Sequence, residues 1–173
     1  MDNEEKQQHF AIAARLVSEQ NFAAAVIAGA VAAVLAAVAY GITVARWPFT
    51  YGFAAAAIGI VVGLSMQFLG RGISTKFAVV AAVYTILGCA LGAISRVLIE
   101  FAKAASSSPV DVLRDSSIST LVERAVAFTS PIILVYWFVA VFCAVFLVKR
   151  SLSRSERLAI GLYERGEERA VKR

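Results

Sequence analysis

The chain has 173 residues, of which 60% are apolar, with 17 Lys or Arg against 12 Asp or Glu and a formal net charge of +5. Soluble domains are nearer half apolar and about a quarter charged, whereas this chain is 17% charged with a mean hydropathy of +0.74. A separate water-soluble domain is excluded, because the stretches outside the apolar windows are too short to bury a core of their own.

The placement of the charges sets the architecture. None falls from Gln20 to Ala45, Trp47 to Gly70, Phe77 to Ser95, or Ala125 to Val148, windows of 26, 24, 19 and 24 residues. About 20 apolar residues in a helix cross a hydrocarbon core about 30 Å thick. The windows therefore predict membrane-spanning helices at about 22–44, 51–69, 77–99 and 130–148. Uninterrupted apolar runs lack the two-residue alternation of a membrane barrel. The fold class is therefore all-α: a four-transmembrane-helix bundle with an N-terminal amphipathic helix, an external amphipathic helix and a short C-terminal helix.

In chain order, the arm over residues 1–21 reads as a helix from Glu4 to Gln20, with Phe10, Ala13, Ala14 and Val17 on one face. His9 stands there without a second ligand at metal-binding spacing. The first span follows a polar arm that contains Asp2, Glu4 and Glu5 and reads as an uncleaved anchor. Arg46-Trp47-Pro48 ends it. After the second span, Gly70 to Lys76 forms a tight turn in which Ser74 or Thr75 caps the third. Ser106-Ser107-Ser108-Pro109 then breaks the chain. One amphipathic helix from Val110 to Phe128 is expected on the outer surface, with Val110, Leu113, Leu121, Ala125 and Phe128 on its apolar stripe. Pro131 suits the first turn of the fourth span. The tail, 149–173, opens on the capping-box pattern Ser153-Arg154-Ser155-Glu156 and is expected to be helical to Tyr163. Cys89 and Cys143 fall at different depths and are read as two buried thiols.

Four spans put both termini on one side. The arm, the second connection and the tail carry 12 Lys or Arg, against 5 for the first connection and the region from Arg96 to Arg124. Excess Lys and Arg stay cytoplasmic, so both termini are expected on the cytoplasmic side. Trp47, Phe49, Tyr51, Tyr136 and Trp137 then lie toward the outer interface.

Small residues are the most informative pattern within the spans. Ala25, Gly29, Ala33, Ala37 and Gly41 recur every four residues, as do Ala55, Gly59 and Gly63, and then Gly88 and Gly92. Helices associate in lipid by packing, and small residues let their backbones approach closely. The fourth span has no glycine and is rich in Val, Phe, Ile and Leu. A tight core of the first three spans is therefore expected, with the fourth peripheral. One ridge could instead form a homo-oligomer interface.

Polar groups at depth mark ion or proton paths, and mid-span this chain offers only uncharged ones. Ser65, Gln67, Thr85 and Ser95 are the candidate pore lining. Arg96 and Glu100, four residues apart, are expected to pair as an interfacial anchor with a snorkelling arginine. Arg71, Lys76, Lys149, Arg150, Arg154 and Arg157 are candidate contacts to anionic lipid. Four glutamates interrupt the charge of the tail, which argues against nucleic acid as a partner. The sequence contains no Ser-His-Asp set, metal-ligand cluster or phosphate loop, so no enzyme activity and no cofactor are expected.

The run Gln67-Phe68-Leu69-Gly70-Arg71-Gly72-Ile73, with Phe77 and then Leu87-Gly88-Cys89-Ala90-Leu91-Gly92, resembles a family of small, poorly characterised bacterial multi-pass membrane proteins. In that family the second and third spans flank a Gly-Lys-Gly-like turn, and the third carries a Leu-Gly-Cys-x-Leu-Gly segment. Arg71 stands where the family has Lys, and Ala93 where it has Asn. The resemblance covers about a third of the chain and implies a bacterial inner-membrane location. The expected function is that of a scaffold or accessory subunit, packed against itself or another membrane protein. The alternative is a small homo-oligomeric channel or transporter.

Overall fold

The computed structural model describes residues 3–149, 156 and 158–161. The described chain is all-α. In order it forms α1 (Asn3–Ser18), α2 (Phe22–Arg46), a 3-10 turn (Pro48–Thr50), α3 (Tyr51–Gly70), α4 (Thr75–Ala104), α5 (Pro109–Asp115), α6 (Ile118–Ala127) and α7 (Pro131–Val148). Four helices, α2, α3 with its leading turn, α4 and α7, are long and apolar enough to cross a membrane. This is the make-up of a multi-pass membrane protein.

Local chemistry sets the helix ends. The Asn21 side chain accepts the Ala24 N–H at 2.9 Å and caps α2, while the Asn21 N–H donates to the Gly70 carbonyl at 3.1 Å. The start of α2 is thereby pinned to the end of α3. Arg71 closes α3 in the left-handed region at φ 46°, a position that glycine usually fills, and its N–H returns to the Gln67 carbonyl. Gly72 follows, and a Cβ there would run into the Phe77 ring. Ser74 takes the N-cap position of α4 without a side-chain bond. Pro109 and Pro131 each open a helix, where a missing N–H costs nothing.

The four long helices run up and down in a ring ordered α2, α3, α7, α4. Neighbours in that ring pack together, α3 and α4 meet across its centre, and α2 and α7 take opposite corners. The proximal end holds Asn21, the 70–75 turn and Lys149; the distal end holds Arg46, Tyr51 and α5–α6. The centre is close-packed and apolar, with Ala33, Ile58, Val62, Met66, Ala81 and Cys89 all buried.

The fourth span is not peripheral. It packs along α3 and α4, and its own small ridge of Ala140 and Ala144, continued by Val148, is fully buried. A Cβ on Gly63 would come within 2.9 Å of the Ala144 carbonyl oxygen, and one on Gly59 would collide with that of Ala140. Alanine at four-residue spacing does in α7 what glycine does elsewhere. The core therefore has four helices, and the ridge of the second span faces the fourth.

Three further boundaries differ from the sequence reading. First, α4 runs on to Ala104, and its 30 residues measure about 45 Å, more than a bilayer core needs. Its overhang at the distal end carries a second apolar cluster, in which Val97 meets Leu121 and Ala125 of α6. Secondly, the amphipathic segment from 110 to 128 is two helices. Ser116 and Ser117 are extended, with ψ of 140° and 139°, and Ser117 takes the N-cap position of α6. The break lets α5 and α6 each lie on α4. Thirdly, α1 buries Ala13 and Leu16, whereas Phe10, Ala14 and Val17 are exposed. Its rotation is set where Glu19 meets Arg15 at 3.1 Å and Arg71 at 3.5 Å. Most of the tail helix expected from Ser153 to Tyr163 lies outside the described residues.

Candidate functional site

The densest polar chemistry in the described chain lies at the distal end, around Arg96 on α4. Its Nε donates to Glu100 Oε1 at 2.7 Å, one helical turn away. The Tyr51 ring centroid lies 4.8 Å from its guanidinium carbon and that of Phe128 5.3 Å. Tyr51 comes from the start of α3, and Phe128 closes α6, just before α7. The Arg96 side chain is only 13% exposed. It does not snorkel to water; it is enclosed between rings. Guanidinium tolerates this because it is planar, weakly hydrated and stacks on aromatic faces.

The clasp joins helices that sequence distance keeps apart. Close by, Gly41 packs on Ser95, where a Cβ would lie 2.6 Å from the Ser95 Cβ, and Gly92 packs on the Tyr40 ring. A space of about 10 Å³ remains between Tyr40, Arg96, Phe128, Thr129 and Ile133, room for about one water. The Thr129 hydroxyl is already spent on the Ala125 carbonyl. Two more cations reinforce this end: Arg124 lies over the Phe101 ring at 6.0 Å, and Lys103 Nζ donates to the Ala45 carbonyl at 3.0 Å. Charge-assisted contacts of this kind hold helices in place. As an acid–base site the arrangement is poor, because its one carboxylate is committed to its own arginine.

The candidate pore residues do not converge. Thr85 is the one buried polar residue among those described, and its hydroxyl donates to the Ala81 carbonyl of its own helix at 2.8 Å. Gln67 reaches across the proximal end, with Nε2 donating to the Lys149 carbonyl at 3.3 Å. Ser65 is half-buried. Ser95 lies against Gly41, 10 residues and about 15 Å along α4 from Thr85.

The small-residue positions do meet neighbouring helices. Gly29 abuts Met66 and Tyr84, with 2.8 Å from its would-be Cβ to each. Gly88 faces Ile58 and Ala33 at the bundle centre, and Ala37 is buried beside them on α2. Of the candidate lipid contacts, Arg71 is engaged by Glu19, while Lys76 and Lys149 are exposed. Arg150, Arg154 and Arg157 lie outside the described residues. Sequence reasoning missed the ring sandwich on Arg96, the Lys103 anchor and the Ala140–Ala144 ridge. Only the last had a visible signal, two alanines four apart in a span of larger residues.

Comparison of the chain with protein-family models, with curated proteins and with solved structures finds no match in any of the three.

Proposed function

We propose that the protein is a non-enzymatic integral protein of the bacterial inner membrane that acts as a scaffold or accessory subunit, through helix packing with itself or with another membrane protein. The observation that carries this reading is the contrast between the inside and the outside of the bundle. Inside, Ile58, Val62, Met66 and Cys89 fill the space between the helices. Outside, α7 presents Phe138, Phe142 and Phe146 as one ridge, 77, 71 and 72% exposed, with the last two rings stacked at 6.3 Å. A ridge of rings at four-residue spacing suits a partner helix as well as lipid.

The 12-to-5 division of Lys and Arg supports cytoplasmic termini, with the arginine clasp on the outer side. The four polar candidates, spread over different heights and partly tied to backbone carbonyls, give less support to a channel. Two measurements on the same sample test the proposal: the mass of the detergent-solubilised protein, and ion and solute flux after reconstitution into liposomes. The expected result is a discrete oligomer or complex without flux. Flux above empty liposomes, abolished by Thr85→Leu, would replace this reading with the channel.

A further inference from the structure

We propose that the groove between α2 and α3 holds one acyl chain of a glycerophospholipid, with the lipid phosphate bound at Arg46. The groove encloses about 360 Å³ in the distal half of the bundle. One wall is Ala36, Ala39 and Thr43 of α2, and the other is Ala54, Ala57 and Val61 of α3. The buried residues Tyr40 and Ile58 form its floor. The lining is mostly small, Phe53 apart, so an acyl chain laid in the groove meets both helices and the floor through dispersion contacts. A single chain of this kind is held more firmly than lipid on a flat helix surface.

The position of charge decides the occupant. Arg46 ends α2 three residues after Thr43, so it continues the groove wall by one helical turn. It is exposed and makes no ion pair among the described residues. It is also an isolated cation, with 26 uncharged residues before it and 24 after it. The Lys103 ammonium, held on the carbonyl of Ala45, adds a second positive charge at the adjacent peptide. An arginine one helical turn beyond an apolar groove matches a phosphate through two parallel N–H donors. A spanning helix from a second copy would bring it no free carboxylate, whereas the exposed Asp111, Asp115 and Glu123 lie on the short helices α5 and α6. The spans of this chain are free of carboxylates within their charge-free windows, and Glu100 already serves Arg96. The inference needs the four helices to lie in a bilayer and does not depend on the scaffold reading.

The test is native mass spectrometry of the full chain, extracted from membranes and exchanged extensively into lipid-free detergent. The wild type is expected to retain one phospholipid per chain. Ala39 and Ala57 are both exposed, so Ala39→Leu with Ala57→Leu fills the groove from outside the core and should abolish retention. Arg46→Gln should lower occupancy about fivefold, the effect of one cation near an anionic surface. Val139→Leu, on an exposed position of α7, should leave occupancy unchanged. Thermal unfolding of each variant confirms that the fold is kept. A wild type without bound phospholipid, or equal retention by the groove-filled variant, overturns the proposal. Loss of self-association in that variant with lipid retention intact also overturns it and assigns the groove to a second copy.

Discussion

Gly59 of α3 lies directly on the backbone of α7, so that a methyl group on Gly59 would collide with the carbonyl oxygen of Ala140. Backbone cannot yield as a side chain does. The contact therefore fixes how closely two whole helices approach.

Gly59→Ala is accordingly expected to cost about 1–3 kcal/mol, the range for overpacking a well-filled interior. Gly88→Ala should behave differently. Its new Cβ would meet the Ile58 Cγ2 at 3.0 Å and the Ala33 carbonyl oxygen at 3.5 Å, a milder contact that a shift of a few tenths of an ångström relieves. The gain in helix propensity, about 1 kcal/mol for Gly to Ala, would then offset most of the strain. Thermal unfolding in detergent measures both variants. Equal destabilisation would show that α3 and α7 are not in backbone contact.

The arginine clasp supplies a second expectation. Arg96→Gln removes the ion pair and both ring contacts, at a cost of about 1.5–3 kcal/mol for a hydrogen bond to a charged group. Glu100 is 34% exposed and remains solvated, so the lower end of that range is expected. Because Phe128 closes α6, the loss should be local. Limited proteolysis should cut faster at Ser106–Ser108 and Ser116–Ser117 in the variant, with the long helices still protected. An unchanged cleavage rate would show that the clasp does not hold α5 and α6 to the bundle.

Thr85 separates packing from conduction. Its hydroxyl serves only the Ala81 carbonyl, which helix geometry also supplies with a backbone N–H. Thr85→Val keeps the shape and removes one side-chain hydrogen bond, so stability should change by no more than about 0.5–1.5 kcal/mol. Assembly measured by mass should also be unchanged. A large loss of stability would mean that the hydroxyl has a second, structural partner.

Topology is open to direct labelling in a background with Cys89 and Cys143 replaced. Gly72 is a poor reporter site because it is buried against Phe77; Lys76, in the first turn of α4 at the same end, is exposed and takes the cysteine. Ser107→Cys is exposed at the opposite end. An impermeant thiol reagent applied to intact cells should label Ser107→Cys and leave Lys76→Cys untouched. The reverse pattern would place the termini outside.

The presence of four long apolar helices and the prolines that open helices were legible in the sequence. Each follows from local rules: the length of an apolar run against bilayer thickness, the missing N–H of proline, and the spacing of small residues. The ridges themselves, Ala25 through Gly41, Ala55 through Gly63, and Gly88 with Gly92, are all buried. A single helix, however, does not contain the identity of its neighbour.

Which ridge meets which is a property of the ring, and only the tertiary structure decided it. Gly59 and Gly63 turned to α7 because α3 sits between α2 and α7, a placement set by the summed packing of four helices. The same holds for Arg96. Its pairing with Glu100 is a matter of helical periodicity within one segment. Its enclosure needed Tyr51 and Phe128, which lie 45 and 32 positions away along the chain and arrive only when α3 and α6 fold back over α4. Apolar pattern, which is short-range, wrote the helices into the sequence; close packing, which is collective, chose their partners.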